Sequence, residues 1–169
     1  IEVLAFDAFN GGRRIWSNPV WKIGLETSAG DIVKGRNSVV TAFLDRTQAE
    51  WLWIVDADMG FAPETIEALV ASADPVSRPV VGGLAFACKS DGDGELGSRR
   101  YRATPTLYVM HQTDTDLGVV PMFDYPRNAM VPVDATGAAC LLVHRSVLER
   151  LRTEHGDAWF DRITIPVGT

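Results

Sequence analysis

Trp51-Leu52-Trp53-Ile54-Val55-Asp56-Ala57-Asp58 is the stretch on which the reading of this chain turns. Aromatic and branched apolar residues follow one another in a short, nearly continuous run, the pattern of a strand buried on both faces. The run ends abruptly at an acid. Side chains two apart on extended backbone point to the same side, so Asp56 and Asp58 converge at the strand's carboxyl end. Ligands of open α/β sheets bind at that edge, and paired carboxylate oxygens there suit a hard divalent cation, Mn²⁺ or Mg²⁺. Such an ion would bridge to phosphates. The plainer alternative is that both acids merely end the strand and cap the turn before Pro63.

Working outward, Asp31 caps a predicted helix running to about Asp45, with Val33, Val40, Phe43 and Leu44 on its buried face and Arg36 and Asn37 near its first turns. Ile1, Leu4, Ala5, Ala8 and Phe9 fall at helical spacing, and Gly11-Gly12 follows as a stop, which predicts a first helix over 1–10. Arg14-Ile15-Trp16 is read as a short strand, followed by a loop through Asn18-Pro19 and Ser28-Ala29-Gly30. Beyond the acidic turn, Pro63 opens a helix with Ile66, Leu69 and Val70 inward that stops before Asp74-Pro75. Pro79 to Phe86 reads as the next strand, and strand, helix, strand in that order implies a parallel crossover. The run from Lys89 to Arg100, rich in Asp, Gly, Ser and Arg, is predicted to be a mobile loop. Thr106 to Met110 and Val119 to Phe123 predict a hairpin, Ala138 to Val143 a strand, and Ser146 to Arg152 a helix with Val147, Leu148 and Leu151 inward.

With 169 residues, 46% of them apolar or aromatic, the chain can bury a substantial core, and one compact domain is expected. Its formal net charge of -6 argues against holding nucleic acid through phosphate contacts alone. Arg99, Arg100 and Arg102 cluster locally, as a solvated loop or as a polyanion-binding patch. Cys88 and Cys140 lie far apart without C-x-x-C spacing, so buried free thiols in a reducing compartment are expected, and His111, His144 and His155 lack ligand spacing. No segment approaches a membrane span and no signal sequence is recognised at the start, so a cytoplasmic location, in a bacterial or phage-infected host cell, is expected.

The segment from Trp51 to Pro63 resembles the signature region of family 2 glycosyltransferases of the GT-A fold, especially bacterial and phage members. Lys34-Gly35-Arg36-Asn37 resembles that family's R-N helix start, and Val81-Gly82-Gly83-Leu84 the strand that follows. Asp134 to Val143, with Arg145 after it, resembles the strand and helix lining the acceptor side, and Trp159-Phe160 an aromatic pair. The match spans roughly Gly35 to Phe160. It implies an α/β Rossmann-like fold, a mostly parallel central sheet flanked by helices with a small antiparallel addition. It also implies a UDP- or GDP-linked sugar donor, a cation held mainly by Asp58, and Asp56 helping to place nucleotide or metal. Arg36, Asn37 and the Asp56-Ala57-Asp58 turn would bind the donor. Gly82, Gly83, Gly137 and Trp159 would lie on the acceptor side.

A metal fixed on the phosphate oxygens of a nucleotide sugar stabilises the charge that grows as the diphosphate leaves. The transfer implied is a direct, inverting displacement by an acceptor hydroxyl that loses its proton to a carboxylate. The family's usual first strand and its Glu-Asp pair have no counterpart here, so the chain is read as a core incomplete at both ends, with the base expected beyond Thr169 and Asp134 as the internal candidate. The segment from Lys89 to Arg102 is read as a lid over the donor. Glycan, protein and modified DNA all stand as acceptors, and the oligomeric state is open. A binding module without transfer activity, and a haloacid dehalogenase-type phosphatase with Asp56 as nucleophile, are the alternatives; Gly60, where that motif carries Thr or Val, speaks against the second.

Overall fold

The computed structural model describes residues 2–6, 21–24, 32–56, 59–91, 100–112 and 117–161. In chain order its elements are β1 (Glu2–Phe6), β2 (Trp21–Gly24), α1 (Ile32–Arg46), β3 (Trp51–Val55), α2 (Thr65–Ser72), β4 (Val80–Gly82), β5 (Phe86–Asp91), β6 (Arg100–Pro105), β7 (Leu107–Gln112), β8 (Leu117–Pro121), β9 (Ala135–Thr136), β10 (Cys140–His144) and α3 (Arg145–His155). They fall into two compact units, one of Ile1–Gly83 with Ala138–Ile163, the other of Leu84–Gly137 with Thr164–Thr169.

The first unit is built on a five-stranded sheet in the order β2-β1-β3-β10-β4. The decisive stretch forms β3, and Leu52, Trp53, Ile54 and Val55 are all buried. Its alternating side chains separate two cores. Leu52 and Ile54 join Val39, Val40 and Phe43 of α1 and Leu148 of α3, while Trp53 and Val55 join Ile66 and Leu69 of α2. The register with β10 repeats the division: Val143 faces Leu52 and Leu141 faces Ile54 on one side, Leu142 faces Trp53 and Cys140 faces Val55 on the other. Burying side chains of this size is worth about 1.5–3 kcal/mol each, so β3 and β10 together carry much of the unit's stability.

The expected GT-A, Rossmann-like fold with its mostly parallel central sheet is overturned. Every strand pairing among the described residues is antiparallel, and the sheets are small. β3 and β4 do run in the same direction around α2, but they share no edge, because antiparallel β10 lies between them. A continuous apolar run signals burial on both faces and says nothing about partner direction; that was decided by a strand arriving from 140–144. The helix expected over 1–10 is replaced by β1 at Glu2–Phe6, which pairs with β3 along its other edge. Short apolar runs serve helix and strand equally, and the open edge of β3 selects the extended form. Part of the expected loop after Asn18 is β2; Arg14-Ile15-Trp16 and Asp31 lie outside the described residues.

α1 appears as the periodicity predicts, except that Val33 is exposed. Its carboxyl end is closed by Arg145. That guanidinium donates to the carbonyl oxygens of Phe43, Leu44, Thr47 and Ala49 and rests over the Phe43 ring. Carbonyls left without helical partners are thereby satisfied from the first residue of α3. α2 follows Pro63 and ends at Ser72, just before Asp74-Pro75, and α3 extends from Arg145 to His155. The strand expected from Pro79 to Phe86 stops at Gly82.

The second unit holds the β5-β6 ribbon and a three-stranded sheet in the order β8-β7-β9. The predicted hairpin is β7 with β8. The ends of the expected mobile loop, Lys89 to Asp91 and Arg100, are ordered strand instead, and 92–99 lie outside the described residues. Cys140 is buried as expected, but Cys88 is exposed.

Two expected outcomes follow from this packing. A Cβ built on Gly83 would stand 2.8 Å from the Cys140 Sγ and 3.2 Å from its Cβ, so Gly83→Val should lower the unfolding free energy by about 1–3 kcal/mol in urea titration, and Cys140→Ala should recover part of that loss. Asp74 accepts hydrogen bonds from the backbone and hydroxyl of Ser77 and from the backbone of Val76, which hold its carboxyl below the usual value of 3.8. A depressed folded pKa stabilises above the unfolded value and is lost as pH falls through the folded one. Thermal melts should therefore show Asp74→Ala less stable than wild type at pH 6, with the difference shrinking as pH falls below about 4.

Candidate functional site

The carboxyl end of β3 and the amino end of β10 meet at one edge of the first unit's sheet. The Asp56 amide donates to the Ala139 carbonyl at 3.0 Å, and the Gly83 amide donates to the Cys140 carbonyl at 2.8 Å. Two successive carbonyls at the start of β10 thus anchor the exits of β3 and β4. The Asp56 carbonyl accepts from the Met59 amide at 3.1 Å.

Arg36, on α1, reaches this edge and donates through Nη2 to both carboxylate oxygens of Asp56, at 3.0 and 3.1 Å. The pair is largely buried, with 15% of the Arg36 side chain and 25% of the Asp56 side chain exposed. One nitrogen serves both oxygens, and the Arg36 Nε is buried without a partner among the described residues. The guanidinium therefore has donor capacity that this pair does not use. The Phe160 ring lies under it, 5.7 Å from Cζ to the ring centre.

Asn37, the next residue of α1, acts differently. Its Nδ2 donates to Asp161 Oδ1 at 2.6 Å and its Oδ1 accepts from the Phe160 amide at 2.9 Å. Both ends of the amide are spent on fixing 160–161 to α1. Trp159 turns away from the acidic edge: its indole Nε1 donates to the Leu148 carbonyl and its ring packs on the α1-α3 core. Phe160 and Asp161 are therefore the residues of this segment that stand at Arg36 and Asn37, a placement visible beforehand only as an aromatic pair.

Of the residues singled out in the sequence, the structure brings Arg36 and Asp56 together, with Gly82 and Gly83 at the same end of the sheet, while Asn37 engages Phe160 and Asp161 instead. Ala57 and Asp58 lie outside the described residues. Gly83 packs closely on Cys140, and Gly137, in the second unit, sits where a Cβ would stand 3.0 Å from the Thr106 side chain. Asp134, also in the second unit, accepts from the Met110 amide through Oδ2 at 2.7 Å and donates its own amide to the Tyr108 carbonyl, tying down the strand edge. Asp56 offers the oxygen chemistry a hard cation takes, but no three His, Cys, Asp or Glu side chains come together among the described residues. No helix among those residues is long and apolar enough to cross a membrane.

In comparisons with protein families, with curated proteins and with solved structures, nothing matches this chain.

The Arg36–Asp56 pair is charge-assisted and shielded from water, unlike the exposed Arg150–Glu154 pair on α3. A double-mutant cycle on Arg36→Ala and Asp56→Ala should give a coupling energy of about 1–3 kcal/mol in chemical denaturation. A coupling near zero would mean that the contact does not hold Asp56.

Proposed function

We propose that this chain is a glycosyltransferase, using a UDP- or GDP-linked sugar with Mn²⁺ or Mg²⁺ at the Asp56-Ala57-Asp58 turn and an acceptor hydroxyl as nucleophile. The observation that carries the reading is the Arg36–Asp56 pair, which sets a carboxylate and an under-used guanidinium side by side at the end of a buried strand. A carboxylate suits the cation of a metal-diphosphate group and a guanidinium suits its phosphate oxygens. The resemblance of the surrounding sequence to family 2 glycosyltransferases supports the same choice. Sheet topology lends it nothing, since function resides in the site rather than in the fold.

A bound divalent cation would supply Lewis-acid stabilisation of the departing diphosphate. Within this chain, Asp56 and Asp58 would hold it through carboxylate oxygens. Arg36 orients Asp56 from one side, and its charge would attract the diphosphate. Asn37 keeps the 160–161 segment against α1, and Phe160 limits water at the guanidinium, which strengthens its attraction for phosphate. The acceptor hydroxyl would attack the anomeric carbon from the face opposite the diphosphate, its proton passing to a carboxylate base as the bond to the departing nucleoside diphosphate breaks, with inversion.

Calorimetric titration of UDP, GDP and their common sugar conjugates, with Mn²⁺ and with EDTA, tests the proposal on wild type, Asp58→Asn and Arg36→Ala. One nucleotide should bind in a metal-dependent manner, with binding abolished in Asp58→Asn and weakened about tenfold or more in Arg36→Ala. A folded wild type that binds none of them, or a phosphoryl group trapped covalently on Asp56, would sink it.

A further inference from the structure

The second unit has sheets but, among the described residues, no apolar core of its own. Both clusters of buried apolar side chains belong to the first unit, and the buried residues described in the second are Ala85, Thr104, Pro105 and Thr106. β8 forms an edge of the β8-β7-β9 sheet. It carries no charged residue from Leu117 to Pro121, and Val119 and Val120 are 48% and 42% exposed. Its register with β7 runs residue for residue, without a bulge. Charges, bulges and prolines are the usual means by which a free strand edge avoids pairing with another chain, and β8 has none before its last residue.

One hydrogen bond fixes which backbone groups lie on that edge. The Met122 amide donates to the Leu107 carbonyl at 2.8 Å, making those two residues a hydrogen-bonded pair. By the alternation of an antiparallel ladder, Val109 with Val120 and His111 with Gly118 are hydrogen-bonded pairs too, whereas Met110 with Val119 and Gln112 with Leu117 are not. The amides and carbonyls of Leu117 and Val119, and the carbonyl of Pro121, therefore point away from β7, where no described strand meets them.

We propose that β8 is the interface through which two copies of this chain associate, the two strands pairing antiparallel about a two-fold axis at Val119. A strand paired antiparallel with its own copy is two-fold symmetric, so the assembly closes as a dimer. Each Val119 exchanges both backbone hydrogen bonds with the partner's Val119, and each Leu117 amide donates to the partner's Pro121 carbonyl. Pro121, which has no amide hydrogen, serves as acceptor only. Because Met110 faces Val119 within each copy, pairing sets these residues and their symmetry mates in one apolar row across the joined sheet. The absence of charge on Leu117–Pro121 favours self-pairing over a foreign strand: it places no like charges at the axis and offers none to select another partner. Each copy also supplies apolar surface to a unit that lacks a core. This interface does not depend on the transfer reaction.

Sedimentation equilibrium of the full chain over roughly 1–200 μM tests the interface. Wild type should saturate at twice the chain mass. Val119→Pro removes a donor that β7 does not use, so it should raise the dimer Kd about tenfold or more while far-UV circular dichroism and the urea midpoint stay unchanged. Val119→Lys, which sets two cations against each other at the axis, should do the same, and Val119→Thr, which keeps the donor and the branched shape, should still dimerise. Where Val119→Pro alters the circular dichroism, Val119→Lys decides. A wild type that stays monomeric throughout, a dimer as tight in Val119→Lys as in wild type, or association that continues past the dimer would overturn the proposal.

Discussion

A strand buried on both faces has no water to satisfy its backbone, so each of its edges must be paired, and β3 imposes that requirement on the whole first unit. β1 takes one edge and β10 the other. Once β10 is fixed, β4 can pair only on its far side, and α1 with α3 and α2 are assigned to opposite faces by the alternation of Leu52 and Ile54 with Trp53 and Val55. The same requirement explains the position of Asp56. It is the first polar side chain after the buried run, and its amide still pairs with Ala139 while its carboxylate is already at the sheet edge.

Two side chains translate this core into a defined edge. Arg145 closes the carboxyl end of α1 against the lead-in to β3, binding carbonyls that span Phe43 to Ala49. Asn37 does the equivalent near the amino end, holding Phe160 and Asp161. With both ends of α1 tied to residues more than a hundred positions away in sequence, Arg36 has little freedom to leave Asp56. The ion pair is then less a source of stability than a means of orientation, since desolvating both charges offsets much of their attraction.

The two units differ in kind. The first shields its acidic edge with a layered core. The second is made of antiparallel ribbons with many exposed apolar residues, among them Val119, Val120 and Met110, and its polar anchors, Asp134 and Thr106, serve the backbone. Arg102 is the exception, its guanidinium lying over the Phe123 ring.

Local chemistry made several elements legible in the sequence: the buried run of β3, the apolar stripe of α1, the Pro63 start and Asp74-Pro75 stop of α2, and the β7-β8 hairpin. Each depends on periodicity or on a backbone restriction carried by the residues themselves. The acids at the end of β3, and the basic and amide residues early in α1, were equally visible as candidates. Strand direction was not, because pleated side-chain alternation is the same in parallel and antiparallel sheets, and so the expected parallel fold gave way to β10 inserted between β3 and β4. Nor could the sequence separate Arg36 from Asn37, one turned to Asp56 and the other to Phe160 and Asp161, or Trp159 from Phe160. Those roles depend on which way a helix is rotated against its sheet, and only the packing of Val39, Val40 and Phe43 onto Leu52 and Ile54 sets that rotation.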